Sequence, residues 1–475
     1  MFDGVRNSSA WWQHDKMQEE CGVFGIFAPG MDVAETTYFG LYALQHRGQE
    51  SAGIAVTDGN GIKLHKGMGL VPEVFSGDNL KHLKGYAAIG HVRYSTTGAS
   101  EPANAQPLVF RQRNGMVGLA HNGNLTNVGT LREMLYNNGA VFQTTTDSEV
   151  IVNLIARYSQ QSLEGALMKS MIDIEGAYSL VVLTKDALYA VRDPYGFRPL
   201  CLGKIGQAWV VASESCALDT VGAKLVRDVS PGEIVRLDKD GLTSLQTMAA
   251  PQRAHCVFEY IYFARPDSTI DGFHVNRVRR EMGRQLAREY KIEADIVIPV
   301  PDSGTAAARG YAAESGIPFE EGLMKNRYIG RTFIQPSQQL RDMGVRIKLN
   351  PMQEVLAGKR VVMVDDSLVR GTTSKKLVHM LRQAGVKEVH LCLSSPPVVA
   401  GCHYGMDTSN RKELIAATKT LAEIRKKVGA DGLYYLSQEG LMKVFGEQGN
   451  GFCYACFDSN YPVKIPADAG KFSLE

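Results

Sequence analysis

The segment VVMVDDSLVRGTTS, residues 361–374, combines an apolar run, two carboxylates and a helix start within one short stretch. The apolar residues 361–364 are typical of a parallel strand that is buried on both faces. Asp365 and Asp366 would then lie at the carboxyl end of that strand, where open α/β sheets bind their ligands. Carboxylates accept hydrogen bonds from ribose hydroxyls and also bind hard divalent cations. The acid pair therefore predicts a site for a sugar, a metal ion, or both.

The residues that follow the acid pair favour a phosphate. Gly371, Thr372, Thr373 and Ser374 open a predicted helix, whose free backbone N–H groups and positive dipole end suit an anion. The glycine permits close approach of a ligand, and the hydroxyls add donors. Together with the acids, this loop predicts a site for a ribose 5-phosphate. An acid pair in another kind of nucleotide-binding sheet is the alternative.

The whole run resembles the phosphoribosylpyrophosphate (PRPP) motif of the type I phosphoribosyltransferases, from the strand to the phosphate loop without a gap. An earlier loop, PDSGT at residues 301–305, also follows a predicted strand and offers backbone N–H groups as a cradle for pyrophosphate. The resemblance implies that Ser303, Asp365 and Asp366 surround the Mg²⁺ that accompanies PRPP. Such an ion neutralises the charge of the leaving pyrophosphate.

A stretch rich in arginine and lysine, residues 325–350, lies between these two loops. Its composition predicts a mobile basic loop in which Arg331 closes over the diphosphate, together with Lys325, Arg327 and Arg341. Closure would exclude water and stabilise charge during the reaction. A solvated surface loop is the alternative interpretation.

The composition indicates an ordinary globular chain that is too long for one core. It has 475 residues, of which 44% are hydrophobic and 21% charged, so we expect two domains. The net charge is only +2, with both signs interspersed, which disfavours nucleic acid and acidic membranes as partners. No apolar run approaches the length of a membrane span, and the first twenty residues lack the apolar core of a secretory signal. We therefore expect a cytoplasmic protein.

The amino-terminal half, residues 21–237, alternates short apolar strands with turns and includes two predicted helices near 34–44 and 148–158. This pattern indicates an α+β fold. Polar clusters follow or interrupt the strands in the segments CGVFGIF, HRGQESAGIAV, GHVRYSTTG, LAHNGNLTN and TTTDSE. Strand ends that gather cysteine, arginine, asparagine and aspartate are typical of the wall of a small polar pocket.

Together these segments resemble the class II glutamine amidotransferase domain, an amino-terminal-nucleophile (Ntn) hydrolase, over roughly the first 220 residues. The resemblance implies a four-layer αββα fold in which Cys21 attacks the side-chain amide of glutamine. In this family the nucleophile is the first residue of the mature chain, so residues 1–20 would be a propeptide. Its removal frees an α-amino group with a pKa near about 8, which can take the thiol proton as general base.

The same resemblance assigns the rest of the glutamine site. Asn122 and the backbone of Gly123 would form the oxyanion hole. Arg93 would bind the α-carboxylate of glutamine and Asp147 its α-ammonium group, with Arg47 as a further candidate for this pocket. Taken alone, the Asn-Gly pair is also typical of a tight hairpin turn.

The block DPYGFRPL, which begins at Asp193, also matches the family, and we assign it no catalytic role. Beyond about residue 233 the pattern changes to strand, loop and helix units that are typical of a parallel doubly wound sheet. We therefore predict a glutaminase domain at 21–240 and an α/β phosphoribosyltransferase domain at 241–475.

Four of the eight cysteines form a candidate metal site. Cys453 and Cys456 form a C-x-x-C pair, and Cys256 and Cys402 lie well before them. Four thiolates suit either zinc or an iron–sulfur cluster, because both accept tetrahedral sulfur. Three further cysteines lie in apolar strand contexts and are expected to be core residues: Cys201, Cys216 and Cys392.

The two halves together resemble the glutamine-dependent PRPP amidotransferases, in the branch that carries an iron–sulfur cluster. That branch has cysteines in the contexts HCVFEY, GCHYGMD and FCYACF, which implies a [4Fe–4S] cluster on Cys256, Cys402, Cys453 and Cys456. The resemblance implies that ammonia released from glutamine passes to PRPP, giving 5-phosphoribosylamine, glutamate and pyrophosphate in the first committed step of purine synthesis. It also implies purine nucleotides as inhibitors and a homo-oligomer, a homotetramer by family.

Two other functions compete with this one. A glucosamine-6-phosphate synthase would share the glutaminase half, but the Asp365-Asp366 run argues against it. A non-catalytic sensor could bind PRPP and use the cluster to report oxygen or iron. The joint presence of Cys21, Asn122 and the predicted glutamine-binding residues argues against a sensor.

Overall fold

The computed structural model describes residues 21–94, 99–326, 349–406 and 411–466. The predicted propeptide, 1–20, lies outside the described residues. Most of the predicted basic loop also lies outside them, including Arg331, Arg327 and Arg341.

Two antiparallel sheets packed face to face form the amino-terminal half. The first has seven strands, in the spatial order Lys224–Asp228, Cys201–Ile205, Ala208–Ala212, Gly22–Phe27, Ala87–Arg93, Ser51–Thr57 and Ile62–Met68. The second has six, in the order Gly241–Thr247, Glu233–Asp238, Leu188–Arg192, Gly176–Leu183, Gly115–Leu125 and Leu108–Gln112. Apolar side chains from both sheets fill the space between them.

Helices cover the outer face of each sheet. The first sheet is covered by Ala34–Ala43, Val71–Val74, Gly77–Lys81 and Ser215–Thr220. The second is covered by Val128–Asn137, Asp147–Tyr158 and Leu163–Asp173. Both sheets are therefore apolar on both faces, which explains why the central strands are buried along their whole length. This arrangement confirms the predicted αββα layering.

The carboxyl-terminal half is built on a four-stranded parallel sheet, as predicted. Its strands follow the order Ile296–Pro299, Arg360–Asp365, Glu388–Leu393 and Gly432–Tyr435. Helices Val275–Glu289 and Thr305–Ser315 pack on one face, and helices Thr372–Gln383 and Leu421–Val428 pack on the other. Along the second strand, Val362 and Val364 point to the first pair of helices, whereas Val361 and Met363 point to the second.

Shorter elements complete the described chain. They comprise the helices Gln353–Leu356, Ile415–Thr418, Gln438–Val444 and Ala455–Asp458, the 3₁₀ turns Pro102–Asn104, Arg411–Glu413 and Gly446–Gly451, and the π-helix Glu259–Phe263. Three two-stranded ladders pair His255–Cys256 with Phe452–Cys453, Thr269–Ile270 with Phe273–His274, and Leu323–Lys325 with Leu349–Pro351. None of the helices in the described ranges is long and apolar enough to cross a lipid bilayer.

The strand Gly241–Thr247 belongs to the first half of the molecule. It forms a hairpin with Glu233–Asp238 at the edge of the six-stranded sheet. The predicted division after residue 240 would cut this hairpin, because backbone hydrogen bonds join its two strands. The six-stranded sheet therefore includes residues up to 247.

Candidate active sites

Cys21 lies immediately before a central strand of the seven-stranded sheet. The strand Gly22–Phe27 pairs with Ala87–Arg93, which brings Cys21 next to Arg93. Its thiol lies 3.4 Å from the carbonyl oxygen of Tyr94, and the Tyr94 amide donates to the sulfur at 3.5 Å. Burial raises the pKa of the Cys21 thiol to about 11, although the Tyr94 hydrogen bond and the charge of Arg93 oppose the shift. A neutral thiol of this kind needs a nearby base before it can act as a nucleophile.

The oxyanion residues lie on the strand Gly115–Leu125 of the facing sheet. Asn122 is buried, and neither atom of its side-chain amide has a hydrogen-bond partner among the described residues. Gly123 has φ of +146°, and a Cβ atom there would lie 2.0 Å from the carbonyl oxygen of Ala177 on the neighbouring strand. Only glycine fits at that position. A buried amide without a partner is costly, so it is available for a ligand.

Arg93 and Asp147 both lie close enough to Cys21 for their charges to influence its pKa. The Arg93 guanidinium is buried and donates to the carbonyl of Ala99 at 3.3 Å and to Glu50 at 3.4 Å. Glu50 is also close enough to Cys21 for its charge to influence the pKa of the thiol. The sequence analysis did not single out this residue, although it lies in the segment HRGQESAGIAV. The predicted glutamine-binding charges therefore gather around the thiol, with one further carboxylate.

Asp147 begins the helix Asp147–Tyr158, so the dipole of the helix favours its negative charge. One carboxylate oxygen accepts a hydrogen bond from the backbone amide of Leu125 at 3.0 Å, and the other lies 3.6 Å from Nδ1 of His121. Burial raises the pKa of Asp147, but the charge and hydrogen bond of His121 outweigh burial and hold it below its ordinary value. Asp147 is therefore ionised at neutral pH and suited to an ammonium group.

A buried polar network supports this region, and the sequence analysis missed it. The backbone amide of His121 donates to the side-chain oxygen of Gln106 at 2.9 Å, and the Gln106 amide nitrogen donates to Ser148 at 3.0 Å. The hydroxyl of Ser148 also lies 3.0 Å from Nδ1 of His121. His121 directly precedes Asn122, so this network holds the oxyanion strand against the helix that carries Asp147. The one sequence signal was the position of His121 within HNGN.

Arg47 does not occupy the position that we predicted for it. Its guanidinium is buried and donates to Glu214 at 2.6 Å and to Glu259 at 2.7 and 2.9 Å. Its Nε donates to the backbone carbonyl of Cys21 at 3.1 Å. The two carboxylates lie far along the chain and draw the side chain away from the glutamine pocket. The geometry therefore gives Arg47 a positioning role beneath Cys21 in place of the predicted contact with glutamine.

Asp365 and Asp366 lie at the carboxyl end of the strand Arg360–Asp365, as predicted, and both are buried. The backbone amide of Asp366 donates to Asp365 at 2.9 Å, and the Ser367 hydroxyl donates to Asp366 at 2.6 Å. These donors hold the two carboxylates in place. The pair can therefore accept hydrogen bonds from ribose hydroxyls or bind a hydrated cation.

The predicted phosphate loop opens the helix Thr372–Gln383. The N-cap residue is Gly371, which has no side chain that could cap the first turn. Gly371 has φ of +81°, a left-handed conformation that favours glycine. Ser374 is buried in the first turn, Thr373 is half-buried and Thr372 is exposed. The first backbone amides of a helix have no acceptor within the helix, so this turn suits the predicted anion site.

The PDSGT loop lies beside the acid pair. The amide of Val300 donates to the carbonyl of Val364 at 2.8 Å, and a Cβ on Gly304 would lie 2.3 Å from that same oxygen. Gly304 is the N-cap of the helix Thr305–Ser315, so a second helix begins at the same edge of the sheet. In the same loop, Asp302 accepts a hydrogen bond from Lys325 at 2.5 Å. The structure thus brings the predicted loop that contains Ser303 to the same edge of the sheet as the acid pair and the other predicted phosphate loop.

The π-helix Glu259–Phe263 connects the two candidate sites. Glu259 binds Arg47 under Cys21, and the carbonyl of Tyr260 accepts from Arg279 at 2.7 Å. Burial lowers the pKa of Arg279 to about 10, while the charge of Asp366 acts against this shift. A chain of buried charges therefore runs from the thiol to the acid pair, and no sequence pattern predicted it.

The four predicted cluster cysteines come from three separate segments that meet at the junction of the two halves. Cys256 and Cys453 are paired residues of a short parallel ladder. Burial raises the pKa of Cys456 well above its ordinary value, and the nearby thiols of Cys453, Cys256 and Cys402 raise it further. Within the described ranges, no three histidine, cysteine, aspartate or glutamate side chains are close enough together to hold a single metal ion. The three cysteines predicted to be core residues are buried: Cys201, Cys216 and Cys392.

Comparison with protein families divides the chain in the same way. A glutamine amidotransferase domain model matches residues 91–220, and a phosphoribosyl transferase domain model matches residues 275–400. Among curated proteins, the amidophosphoribosyltransferase of Synechococcus elongatus is 51% identical over 466 residues, covering 97% of this chain and 94% of that protein. The amidophosphoribosyltransferase of Bacillus subtilis is 50% identical over 457 residues, covering 95% and 96%.

Solved structures give the same result for the fold. A glutamine PRPP amidotransferase from B. subtilis, complexed with ADP and GMP, superposes with a TM-score of 0.91 at 49% identity, covering 96% of this chain and 100% of that one. A structure described as the allosteric regulatory enzyme of purine biosynthesis superposes with a TM-score of 0.90 at 50% identity, covering 94% and 97%.

Proposed function

Because this chain belongs to the amidophosphoribosyltransferase family, and therefore catalyses glutamine-dependent amidotransfer to PRPP in purine biosynthesis, we propose how its residues divide that reaction between two sites. Glutamine is hydrolysed at Cys21, and PRPP reacts above Asp365 and Asp366. One observation carries the proposal: the same chain holds a buried thiol among the charges of Arg93 and Asp147 and a buried acid pair beside an open helix start.

In the glutamine site, Cys21 Sγ attacks the side-chain amide carbon of glutamine. The unpaired amide of Asn122 and the backbone of Gly123 stabilise the oxyanion of the tetrahedral intermediate. Collapse of this intermediate releases ammonia and leaves a thioester, which water hydrolyses to glutamate. Arg93 binds the α-carboxylate and Asp147 the α-ammonium, so the pocket selects an α-amino acid.

The base for this step is the α-amino group that becomes free when residues 1–20 are removed. The pKa of the Cys21 thiol, about 11, supports this assignment, because such a thiol is neutral at physiological pH. An amino group with a pKa near about 8 can take its proton and later return it to the leaving ammonia. Propeptide removal would therefore switch on the glutaminase.

In the PRPP site, the first turn of the helix Thr372–Gln383 binds the 5-phosphate, and the loop around Ser303 binds the diphosphate. Asp365 and Asp366 accept hydrogen bonds from the ribose hydroxyls. The donor set also fits Mg²⁺, which prefers one or two carboxylates, waters and substrate phosphates over a closed cage of protein ligands. When bound, the ion would neutralise charge on the departing pyrophosphate. We further propose that Arg331 contributes to diphosphate binding.

We propose that the four cysteines Cys256, Cys402, Cys453 and Cys456 hold a [4Fe–4S] cluster, the assignment that the family resemblance of their sequence contexts implies. Four thiolates are the usual ligands of such a cluster. The influence of the other three thiols on the pKa of Cys456 supports a site that the four share. The cluster would join three chain segments and needs no redox step in the reaction.

The remaining assignments follow from the relatives. We propose that purine nucleotides inhibit the enzyme, because a similar structure was solved with ADP and GMP. We also propose a homotetramer in the cytoplasm, and a water-excluding passage that carries ammonia between the two sites. We propose a boundary between the domains after residue 247 instead of after residue 240, and the hairpin described above supports it.

The experiment that tests this division is the variant Cys21→Ala. Glutamine-dependent synthesis of phosphoribosylamine should be abolished, whereas synthesis from added ammonia should stay near the wild-type rate. Cys201→Ala, at a buried cysteine of the same seven-stranded sheet, serves as the matched control and should keep both activities. Loss of both activities in a folded Cys21→Ala protein would contradict the division into two sites.

A further inference from the structure

The residues 402–405, which follow the third strand of the parallel sheet in the phosphoribosyltransferase half, lie directly against the predicted oxyanion strand Gly115–Leu125 of the glutaminase half. We refer to residues 402–405 as the wall segment. Its first contact is a hydrogen bond across the domains, in which the side-chain nitrogen of Asn124 donates to the carbonyl of His403 at 3.0 Å. Asn124 is the residue immediately after Gly123, so this bond holds the oxyanion strand at its catalytic end.

The second contact involves Gly405, which has φ of +117°. A Cβ atom built on Gly405 would lie 3.4 Å from the carbonyl carbon of Gly123 and 2.8 Å from a guanidinium nitrogen of Arg198. Ala177 closes the other side of Gly123, because a Cβ atom built on Gly123 would lie 2.0 Å from the carbonyl oxygen of Ala177. The backbone of Gly123 is therefore enclosed between its own sheet and the wall segment.

The third contact belongs to the DPYGFRPL block, for which the mechanism had no role. Arg198 is fully buried and donates twice to the carbonyl of Tyr404, with its Nε at 3.0 Å. The ring of Phe197 stacks on the ring of Tyr404 with centroids 4.3 Å apart. The block thus clamps the wall segment onto the glutaminase core.

From these contacts we infer that the wall segment sets the position of the oxyanion donor, so that Gly405 and Asn124 are positioning residues for glutamine hydrolysis. The inference rests on the proposed role of Gly123. Neither residue touches the substrate in this account. Their effect is on the transition state, because a displaced donor is no longer aimed at the place where negative charge develops.

The test uses two variants of the processed full-length enzyme. Gly405→Ala adds the Cβ that meets Gly123 and Arg198, and the isosteric Asn124→Asp removes the donor to the His403 carbonyl. Both should lower kcat for glutamine hydrolysis by about 10-fold to 100-fold, as expected for a small misplacement of catalytic groups. The KM for glutamine should change by less than about threefold, because Arg93 and Asp147 still bind its ends.

A second readout reports on the oxyanion hole itself. An analogue of glutamine with an aldehyde in place of the amide adds to the Cys21 thiol: the S–C bond forms, the free α-amino group takes the thiol proton, and the carbonyl oxygen becomes an oxyanion. Its affinity should fall in proportion to kcat in both variants. Ammonia-dependent synthesis should remain near wild type, which also shows that the variants are folded.

Gly385→Ala is the matched control. Gly385 is also left-handed, with φ of +85°, but it is exposed, and a Cβ there would meet only Ala357 at an ordinary distance of 3.6 Å. It should leave glutamine hydrolysis unchanged.

Three outcomes would overturn the inference. They are a kcat within about twofold of wild type in folded Gly405→Ala and Asn124→Asp, an equal loss in Gly385→Ala, or a parallel loss of ammonia-dependent synthesis in Asn124→Asp. Failure of the proposed function looks different, because glutamine hydrolysis would then survive in Cys21→Ala.

Discussion

At the scale of single residues, burial decides the chemistry of the glutamine site. The environment of Cys21 holds its thiol neutral, while that of Asp147 holds its carboxylate ionised. The buried side-chain amide of Asn122 has no hydrogen-bond partner among the described residues, which lowers the stability of the fold. A donor that is kept available for a transition state carries this cost. In the proposed mechanism, the site is therefore preorganised for an oxyanion but needs the free amino group of the processed chain as its base.

The reactivity of Cys21 toward iodoacetamide should reveal this dependence on a base. In the chain that still carries residues 1–20, alkylation should be slow at pH 7 and should increase up to about pH 11, because burial raises the pKa and the thiolate forms only there. In the processed chain, alkylation should already be fast near about pH 8, where the α-amino group becomes a base. Peptide mass spectrometry measures the adduct, and Cys21→Ser identifies the site. Fast alkylation of the unprocessed chain at pH 7 would argue against an amino-group base.

At the scale of secondary-structure elements, helix starts and strand ends position the ligand groups. The predicted helices near 34–44 and 148–158 are present as Ala34–Ala43 and Asp147–Tyr158. Two other helices, Val128–Asn137 and Leu163–Asp173, were not predicted, because their polar faces resemble the turns around them. They cover the sheet but hold no site residue, so their omission did not affect the functional prediction.

The conformation of Gly371 gives a prediction at this scale. Gly371→Ala would place a side chain in a left-handed conformation and bring its Cβ to 3.0 Å from Ile415, at a cost of about 1–2 kcal/mol. If that cost falls on the ligand-bound form, the KM for PRPP should rise by about 10-fold, in the glutamine-dependent and ammonia-dependent reactions alike. Steady-state kinetics with varied PRPP measures this change.

Gly358→Ala is the control for Gly371→Ala. Gly358 has φ of +73° and nothing within 4 Å of a built Cβ, and it precedes the opposite end of the strand Arg360–Asp365. The KM of the Gly358→Ala variant for PRPP should stay unchanged. An equal rise of the KM for PRPP in both variants would show that the effect is not specific to the predicted phosphate loop.

At the scale of the whole molecule, buried charges and cysteines join the two halves. Arg47 binds Glu214 and Glu259, and all three side chains are fully buried. The cysteines that we assign to a cluster lie at the same junction, and the wall segment begins at one of them, Cys402. In the proposed assignment, one stretch of chain therefore connects the cluster with the strand that carries Gly123.

Removing the central cation should destabilise the protein strongly. Arg47→Leu removes the cation that two buried carboxylates share and leaves Glu214 with His46 and Glu259 with Arg198 at 3.7 Å, at a cost of about 3–5 kcal/mol. Arg288→Leu, which breaks an exposed pair with Glu281, should cost about 1 kcal/mol or less. The urea midpoint of the first unfolding transition measures both. A midpoint shift no larger for Arg47→Leu than for Arg288→Leu would contradict this account.

Acid should reduce the difference between wild type and Arg47→Leu. Burial raises the pKa of Glu214, but the charges of His46 and Arg47 outweigh it and hold the pKa well below its ordinary value of 4.5. The stabilisation from a lowered carboxyl pKa is fully present above the unfolded value and is lost as the pH falls below it. The two urea midpoints should therefore converge as the pH drops below about 4.5.

The cluster assignment is tested by Cys453→Ser. The protein purified without oxygen should lose its iron and its broad absorbance near about 400 nm, and its melting temperature should fall. Cys392→Ala, at a buried cysteine of the parallel sheet, should keep the iron. A colourless wild-type protein that contains zinc would overturn the assignment.

The sequence alone determined the two chemistries, because each is encoded in contiguous runs. A strand that ends in Asp365 and Asp366 and continues into Gly371 and a helix start is local, and local backbone rules place its groups. The predicted roles of Cys21 and the oxyanion residues, and the αββα layering, came from the resemblance of several short segments to the class II glutamine amidotransferases. The periodicity of the strands and helices by itself indicated an α+β half followed by a parallel-sheet half.

Only the tertiary structure decided which distant groups meet. Arg47 looked like a glutamine ligand in its local segment, yet Glu214 and Glu259, more than 160 residues away, direct its guanidinium beneath Cys21. The contact of Gly405 with Gly123 joins positions on different domains. The direction of a long buried side chain and the closeness of two backbones depend on packing across the whole fold, and a linear pattern carries no record of it.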